Sequence, residues 1–585
     1  MNTSEKEYLK SLIPENLTNW KDLLEEGIRA GKEIQVNPSR YMRDHGYENE
    51  VDLRMDRAAK GEITWRTIMG LASLEEQLEG LNYLYEFGEK NETPIDVCMI
   101  IPNMLTGSPA EFRENVPKGT SFVLENPKDW QDIADCPIHP AFCDFHMGSP
   151  NAFYNTINAV KAGSTYHGIF SQIGWDYPGC EDDNKWMGEN IKALGVIAAK
   201  HDDKMVVDTY MDDGAPSYFF DLCSFLGYAR LEKYIVSDLC GARYACSFGQ
   251  LLDKMIPKMA LWLALSDELK EEDQPGVSFF YSNCIDHWDH DPEANYGFLM
   301  SEVLMTALVE RKYKTGVSIL PIPITEKIAV PTPQAIANIH AAARKAVATA
   351  DEWEEIVDFR AIEKIRDQIK ETGMEFYHNI LAGLEDAGID IKDPLAMTIL
   401  LKRINPSKLE ALFHPSTYQG KNDTVIPKVP TTIGKRSLEQ RDKIVAELLK
   451  DPTIPEKVKD RQILVVSGDA HFYGAFVVRN TLTSLGAEVI DGGVGIQPVD
   501  ALDIADEEGL LDICVSVHNG QGLDYAKQLC QLAKERGKAY RFFMGGKLNA
   551  ILPGDSEPSD VTDLISEMGI FAIDSVEDFI LELAK

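Results

Sequence analysis

The 585 residues carry 58 Lys and Arg against 94 Asp and Glu, a formal charge of −36 at pH 7. Domains usually run to about 100–200 residues, so this length excludes a single small domain. The 44% hydrophobic and 26% charged fractions exclude a disordered or collagen-like chain, and so acidic a balance is wrong for gripping nucleic-acid phosphates through Lys and Arg.

No run reaches the ~18–20 uncharged apolar residues that a spanning helix needs. The richest are short, such as MALWLAL at 259–265. The segment MNTSEKEYLKSLIPENL lacks the basic and apolar regions of a secretion signal. The expectation is a soluble cytoplasmic protein with no membrane or nucleic-acid partner. Ten cysteines scattered without CxxC spacing predict reduced, buried thiols, not a disulfide framework or a zinc site.

In chain order, residues 1–60 are polar and helical (TNWKDLLEEGIRAGKE) and read as an N-terminal helical arm. From 61 to 400, short apolar runs (TPIDVCMIIPN, KMVVDTYMDDG, ARYACSFGQ, VSFFYSN, GVSILPIPI) alternate with amphipathic stretches. Repeated βα units of this kind predict a parallel (β/α)₈ TIM barrel. The Ala-rich PQAIANIHAAARKAVATA, with Pro at its start, predicts a long helix after a strand. Residues 401–460 hold a stretch rich in Pro, Thr, Lys and Gly and read as a linker or wrapping segment, with one helix, SLEQRDKIVAELLKD. From 461 to 585, QILVVSG, AEVIDGG, LDICVSV, AYRFFMGG and GIFAID recur with helical patterns between them. That is the pattern of a doubly wound, flavodoxin-like α/β domain.

The last domain opens with VVSGDAHFYGAFVVRN, which sets Asp469, His471 and Gly474 just after its first strand. Ser516 in SVHNGQG, then Gly520, and Gly545 with Gly546 in FFMGGKL follow later strands. This DxHxxG, with the Ser and the Gly pair, resembles the cobalamin-binding domain of enzymes that ligate cobalt with a histidine. The resemblance implies His471 as the cobalt ligand and Asp469 as its partner. It also implies that Gly474, Ser516, Gly520, Gly545 and Gly546 contact the corrin or its nucleotide tail. The chemistry suits the residues, because a carboxylate that accepts the other ring N–H of an imidazole fixes its tautomer. His518 stands where the family usually has Leu.

The barrel resembles that of glutamate mutase, most clearly in ILPIPITEKIAVPTPQAIANIHAAARKA and in the Trp288, Tyr296 and Gly297 of CIDHWDHDPEANYG. Glu326 falls on the family's Glu that contacts the adenosyl ribose, while Ile322 takes the place of a neighbouring Lys. None of the family's three carboxylate-binding arginines is kept: their positions fall on Ile68, in PNMLTG and on His146. Glutamate itself is therefore not the expected substrate. The candidate catalytic residues are Glu326 and His146. Those for substrate binding are Arg66, His146, Tyr166 and Trp175, with packing in the barrel wall as their alternative role.

The resemblance implies an adenosylcobalamin-dependent radical carbon-skeleton mutase, an isomerase of the group of glutamate mutase and 2-methyleneglutarate mutase. It would act on a small carboxylic acid as a homo-oligomer. A pyridoxal-phosphate aminomutase using Lys547 or Lys327, a corrinoid methyltransferase and a non-enzymatic cobalamin sensor stay open as alternatives.

Overall fold

The computed structural model describes the whole chain except residues 116–120, 251, 283–290, 327–329, 419–423, 469–472, 494–495, 518–521 and 551–558. The chain divides into two compact units, Met1–Thr417 with Val425–Val429, and Tyr418–Thr424 with Pro430–Lys585.

The first unit holds eight parallel strands: β1 (Thr64–Met69), β2 (Val97–Ile100), β3 (His139–Ala141), β4 (Tyr166–His167), β5 (Val206–Tyr210), β6 (Arg243–Phe248), β7 (Val277–Tyr281) and β8 (Ser318–Leu320). Their order is β3-β2-β1-β8-β7-β6-β5-β4, and a single parallel bridge between Phe142 and His167 joins the two ends. The sheet is thus a nearly closed barrel, as the βα alternation predicts. Helices follow the strands because the loops supply start signals. The side chains of Ser73, Asp221 and Thr332 accept backbone N–H bonds ahead of Leu74–Asn91, Leu222–Lys233 and Pro333–Val347, the last beginning with Pro. The bore is packed with side chains, among them Val97, Met99, Tyr166, Phe279 and Leu320.

Residues 1–60 belong to this unit, and their last helix, α1 (Glu50–Lys60), closes the amino-terminal end of the barrel. Arg54 Nε donates to the Gly316 carbonyl at 2.7 Å and its Nη2 to the Val277 carbonyl at 2.6 Å. The Glu50 N–H donates to Thr165 Oγ1 at 2.9 Å. The segment read as a linker with one helix holds that helix, within Thr432–Leu448, and further helices besides, and it is divided between the units. Pro406–Phe413 lies in the barrel unit, where the Glu410 carboxylate accepts the N–H groups of Phe220 and Asp221 at 2.8 and 3.0 Å. Thr432–Leu448 and Thr453–Val458 lie in the second unit.

The second unit is built on β9 (Gln462–Ser467), β10 (Glu488–Gly493), β11 (Asp512–Val517), β12 (Arg541–Gly546) and β13 (Phe571–Ile573). All are parallel, in the order β10-β9-β11-β12-β13. Alternate residues face opposite layers, as the two-residue period of a strand requires. Leu464, Val466, Ile513 and Val515 pack with helices Pro498–Glu507 and Gly522–Arg536. Ile463, Val465, Cys514 and Phe543 pack with Thr432–Leu448, α2 (Tyr473–Ser484) and α3 (Val576–Leu583).

Among the described residues no helix is long and apolar enough to cross a membrane. Nine described cysteines are free thiols, eight of them buried, in line with the reading of the sequence.

Candidate functional site

Each unit carries a candidate site at the carboxyl ends of its strands, where ligands of parallel α/β folds bind. In the second unit a crevice of about 240 Å³ is lined by Gly474, Ser516, Gly545, Gly546, Asp574 and Ser575, among others. Gly474 starts α2, so a backbone without Cβ faces the end of β11. A Cβ there would come within 2.7 Å of Ser516 Oγ. That hydroxyl is buried and has no hydrogen-bond partner among the described residues. Gly546 sits at φ +118°, where a Cβ would stand 2.2 Å from the Val517 carbonyl oxygen, so only glycine fits. Of the seven residues of this unit expected at a cofactor, the four described ones line one cavity, while the eighth, Glu326, belongs to the barrel unit. Asp469, His471 and Gly520 lie outside the described residues.

At the carboxyl-terminal mouth of the barrel, acidic side chains follow β3, β5 and β8. Asp144 is 9% exposed, and its Oδ1 accepts from Gln172 Nε2 at 3.0 Å. The backbone holds that amide in place, since Phe145 N–H donates to Gln172 Oε1 at 3.1 Å. Asp212 Oδ2 accepts from Tyr210 Oη at 3.1 Å and from Gly249 N–H at 2.9 Å. Burial pushes Asp144 up to about 7, an effect the Gln172 hydrogen bond partly offsets. Asp213 is pushed up to about 8, by burial first and then by the charges of Asp144 and Asp212. Glu326 rises to about 7 through burial, and its Oε2 has no partner among the described residues. Tyr281, 2% exposed, feels Asp144, Asp213, Glu326 and Asp212 together, which with its burial raises its phenol far above the usual value. The buried Tyr177 hydroxyl, beside the Asp144 charge, is likewise without a partner. Such an array keeps its carboxyl groups partly protonated near pH 7, and a positive charge beside them favours ionisation. Among the described residues no group of three His, Cys, Asp or Glu is arranged to hold a metal ion.

The residues expected at the substrate separate on this frame. Glu326 reaches the mouth. Trp175 stands beside it, donating from Nε1 to the Asp213 carbonyl at 3.4 Å and packing edge-on against Phe145. Arg66 does not reach it: near the amino end of β1 and wholly buried, it holds Glu50 Oε1 at 2.5 Å from Nη2 and lies over the Phe279 ring. Tyr166 is in the same layer, its hydroxyl bonded to Arg54 Nη1. These two serve the floor of the barrel. His146 is in the wall, with both ring nitrogens engaged. Trp130 Nε1 donates to its Nε2 at 2.8 Å, and its Nδ1 is 2.7 Å from the Asp144 carbonyl oxygen. An indole can only donate, so the imidazole proton sits on Nδ1 and the ring is neutral. Burial also lowers its pKa to about 4. With no free nitrogen for proton transfer, His146 positions the turn that presents Asp144.

The reading of the sequence missed Asp144 and Asp213. The signal was there in FCDF and YMDDG, acidic residues directly after apolar strands, the position where barrels place functional groups.

No protein-family model and no curated protein matches the chain. Among solved structures, a dihydrodipicolinate synthase from Agrobacterium tumefaciens str. C58 is similar over 59% of this chain and 99% of its own, with 10% identity and a TM-score of 0.26. The chain is an α/β protein with a nearly closed eight-stranded parallel barrel and a further parallel sheet.

Proposed function

We propose that this chain is an adenosylcobalamin-dependent radical mutase. The observation that carries the reading is the convergence of Gly474, Ser516, Gly545 and Gly546 on one crevice. Those residues come from the sequence motif, and the parallel order β10-β9-β11-β12-β13 supports a flavodoxin-like reading, in which ligands sit where the winding reverses, here between β9 and β11. Two features of the crevice support a nucleotide tail: the Ser516 hydroxyl has no polar partner among the described residues, and Gly474 sets no Cβ beside it. His471 is the proposed cobalt ligand and Asp469 the acceptor for its other ring N–H.

Adenosylcobalamin supplies, when bound, a 5′-deoxyadenosyl radical by homolysis of its cobalt–carbon bond. Glu326, with an unpartnered Oε2, is the candidate to hold a ribose hydroxyl. Tyr281 and Trp175 keep the mouth dry. Within the class, the fusion of barrel and cobalamin domain in one chain favours 2-methyleneglutarate mutase. Against that substrate stands the electrostatics of the mouth: no described Arg or Lys acts on Asp144, Asp213 or Glu326, and a dicarboxylate would meet acids there. The class is thus better supported than an acidic substrate.

The test is an anaerobic absorbance titration of the full chain with adenosylcobalamin, with EPR of the bound cobalt(II) form, for wild type and His471→Ala. Splitting from one protein nitrogen, lost in the variant, supports the reading. No binding, or the cofactor's own base still on cobalt, removes it.

A further inference from the structure

We propose that the barrel mouth binds a small substrate through a protonated amine. This deepens the mutase reading and rests on it for the reaction, though not for the binding. The geometry comes first. Asp144 after β3, Asp213 after β5 and Glu326 after β8 all act on Tyr281, and the buried Tyr177 Oη, on which Asp144 also acts, has no hydrogen-bond partner among the described residues. An orphaned buried hydroxyl points to a missing polar partner. An ammonium group brings three donors and a charge, and it contributes most where carboxyl groups are shielded from water.

Other occupants fit less well. A divalent cation would need converging ligands, and among the described residues no such group exists. A carboxylate would lie against Asp144, Asp213 and Glu326, on which no Arg or Lys among the described residues acts. A polyol could satisfy the hydroxyl but would leave the acids uncompensated. The aromatic wall agrees with the amine, since the Tyr210 and Tyr281 rings, 5.2 Å apart, offer π faces at the end of the bore. The shifted acids add support, because a buried carboxyl held neutral near pH 7 gains a reason to ionise once a cation is beside it.

The experiment is calorimetric titration of the full chain, with and without adenosylcobalamin, using 1,5-diaminopentane, pentane-1,5-diol and glutarate as probes of one carbon skeleton. It is run at about 0.2 M salt so that the acidic surface is screened. The diamine is expected to bind with a stoichiometry near one and at least ~10-fold more tightly than the other two. Asp213→Asn and Tyr177→Phe should each weaken it while changing the total charge by one unit or none, which separates the mouth from diffuse surface attraction. Tighter binding of glutarate or the diol, no binding of the diamine, or equal affinity in both variants overturns the proposal. Failure of adenosylcobalamin to bind while the diamine binds removes the mutase reading and leaves the amine site standing.

Discussion

The Cβ that Gly474 lacks would stand 2.7 Å from the Oγ of Ser516. The two residues come from the first turn of α2 and the end of β11, and their approach keeps the head of the crevice clear. Gly474→Val should fill that space and weaken adenosylcobalamin on the order of 10-fold or more, as overpacking costs about 1–3 kcal/mol. Ser516→Ala removes one hydrogen-bonding group and should cost only about 1 kcal/mol, or about fivefold. Absorbance titration ranks the two. Equal affinities for wild type and Gly474→Val would detach this crevice from the cofactor.

In the barrel floor, Glu50 is the only acid in hydrogen-bonding contact with Arg66 among the described residues, and it also lies 3.8 Å from Arg54 Nη1. Glu50→Gln should lower the stability of the barrel by about 3–5 kcal/mol, because removal of one partner leaves buried guanidinium charge uncompensated. Urea unfolding followed by circular dichroism measures this, with the two units treated as separate transitions. Adding Arg66→Met should recover part of the loss. A substrate role for Arg66 predicts instead a defect in binding with stability unchanged.

His146→Phe should leave the Trp130 indole N–H and the Asp144 carbonyl without partners, a cost of about 1–3 kcal/mol for each buried group. The penalty should also depend on pH. The folded pKa of His146 is about 4 against an ordinary 6.5, so the stability tied to the neutral ring is fully present above 6.5 and is lost as pH falls towards 4. The gap in thermal midpoint between wild type and variant should therefore be widest near pH 7.5 and narrow by pH 5. A gap that widens on acidification would mean that the imidazole is charged in the fold.

The alternation of apolar runs and helical patterns was enough to read both sheets, because parallel strands buried on two faces are written in continuous hydrophobic stretches such as KMVVDTY and LDICVSV. The crevice of the second unit was legible through the resemblance of DxHxxG and the Ser and Gly pair after it, which fall in the first turn of α2 (Gly474) and at strand ends (Ser516, Gly545 and Gly546). The floor was not. Glu50 and Arg66 belong to a helix and a strand, and no periodicity announces that the helix turns back under the barrel to neutralise an arginine inside it. His146 was misread for a related reason: the residue type suggests proton transfer, and only the positions of Trp130 and the Asp144 carbonyl show both nitrogens occupied. The helices around Glu410 were hidden because prolines and lysines, read as linker composition, there serve as helix starts and exposed faces.

Asp213 sets the pH response of the mouth. Its carboxyl is raised to about 8 by burial and by Asp144 and Asp212, while an unfolded Asp ionises near its ordinary value of 3.8. Between these limits the folded chain holds the proton and the unfolded chain does not. Asp213 therefore supports the fold below about pH 4, and that support drains away as pH rises towards 8. Asp144 titrates with it as a pair, with Gln172 and Tyr281 the other polar groups against them. Asp213→Asn cannot ionise and should escape the loss, so its thermal midpoint should gain on wild type by a few degrees between pH 5 and pH 9. The same substitution at Asp56, which is on the surface and has its pKa lowered by the Lys60 hydrogen bond, should show no such gain. A midpoint difference for Asp213→Asn that stays constant across that range would mean that Asp213 is already ionised at neutral pH, and the mouth would then hold fixed negative charge in place of neutral acids.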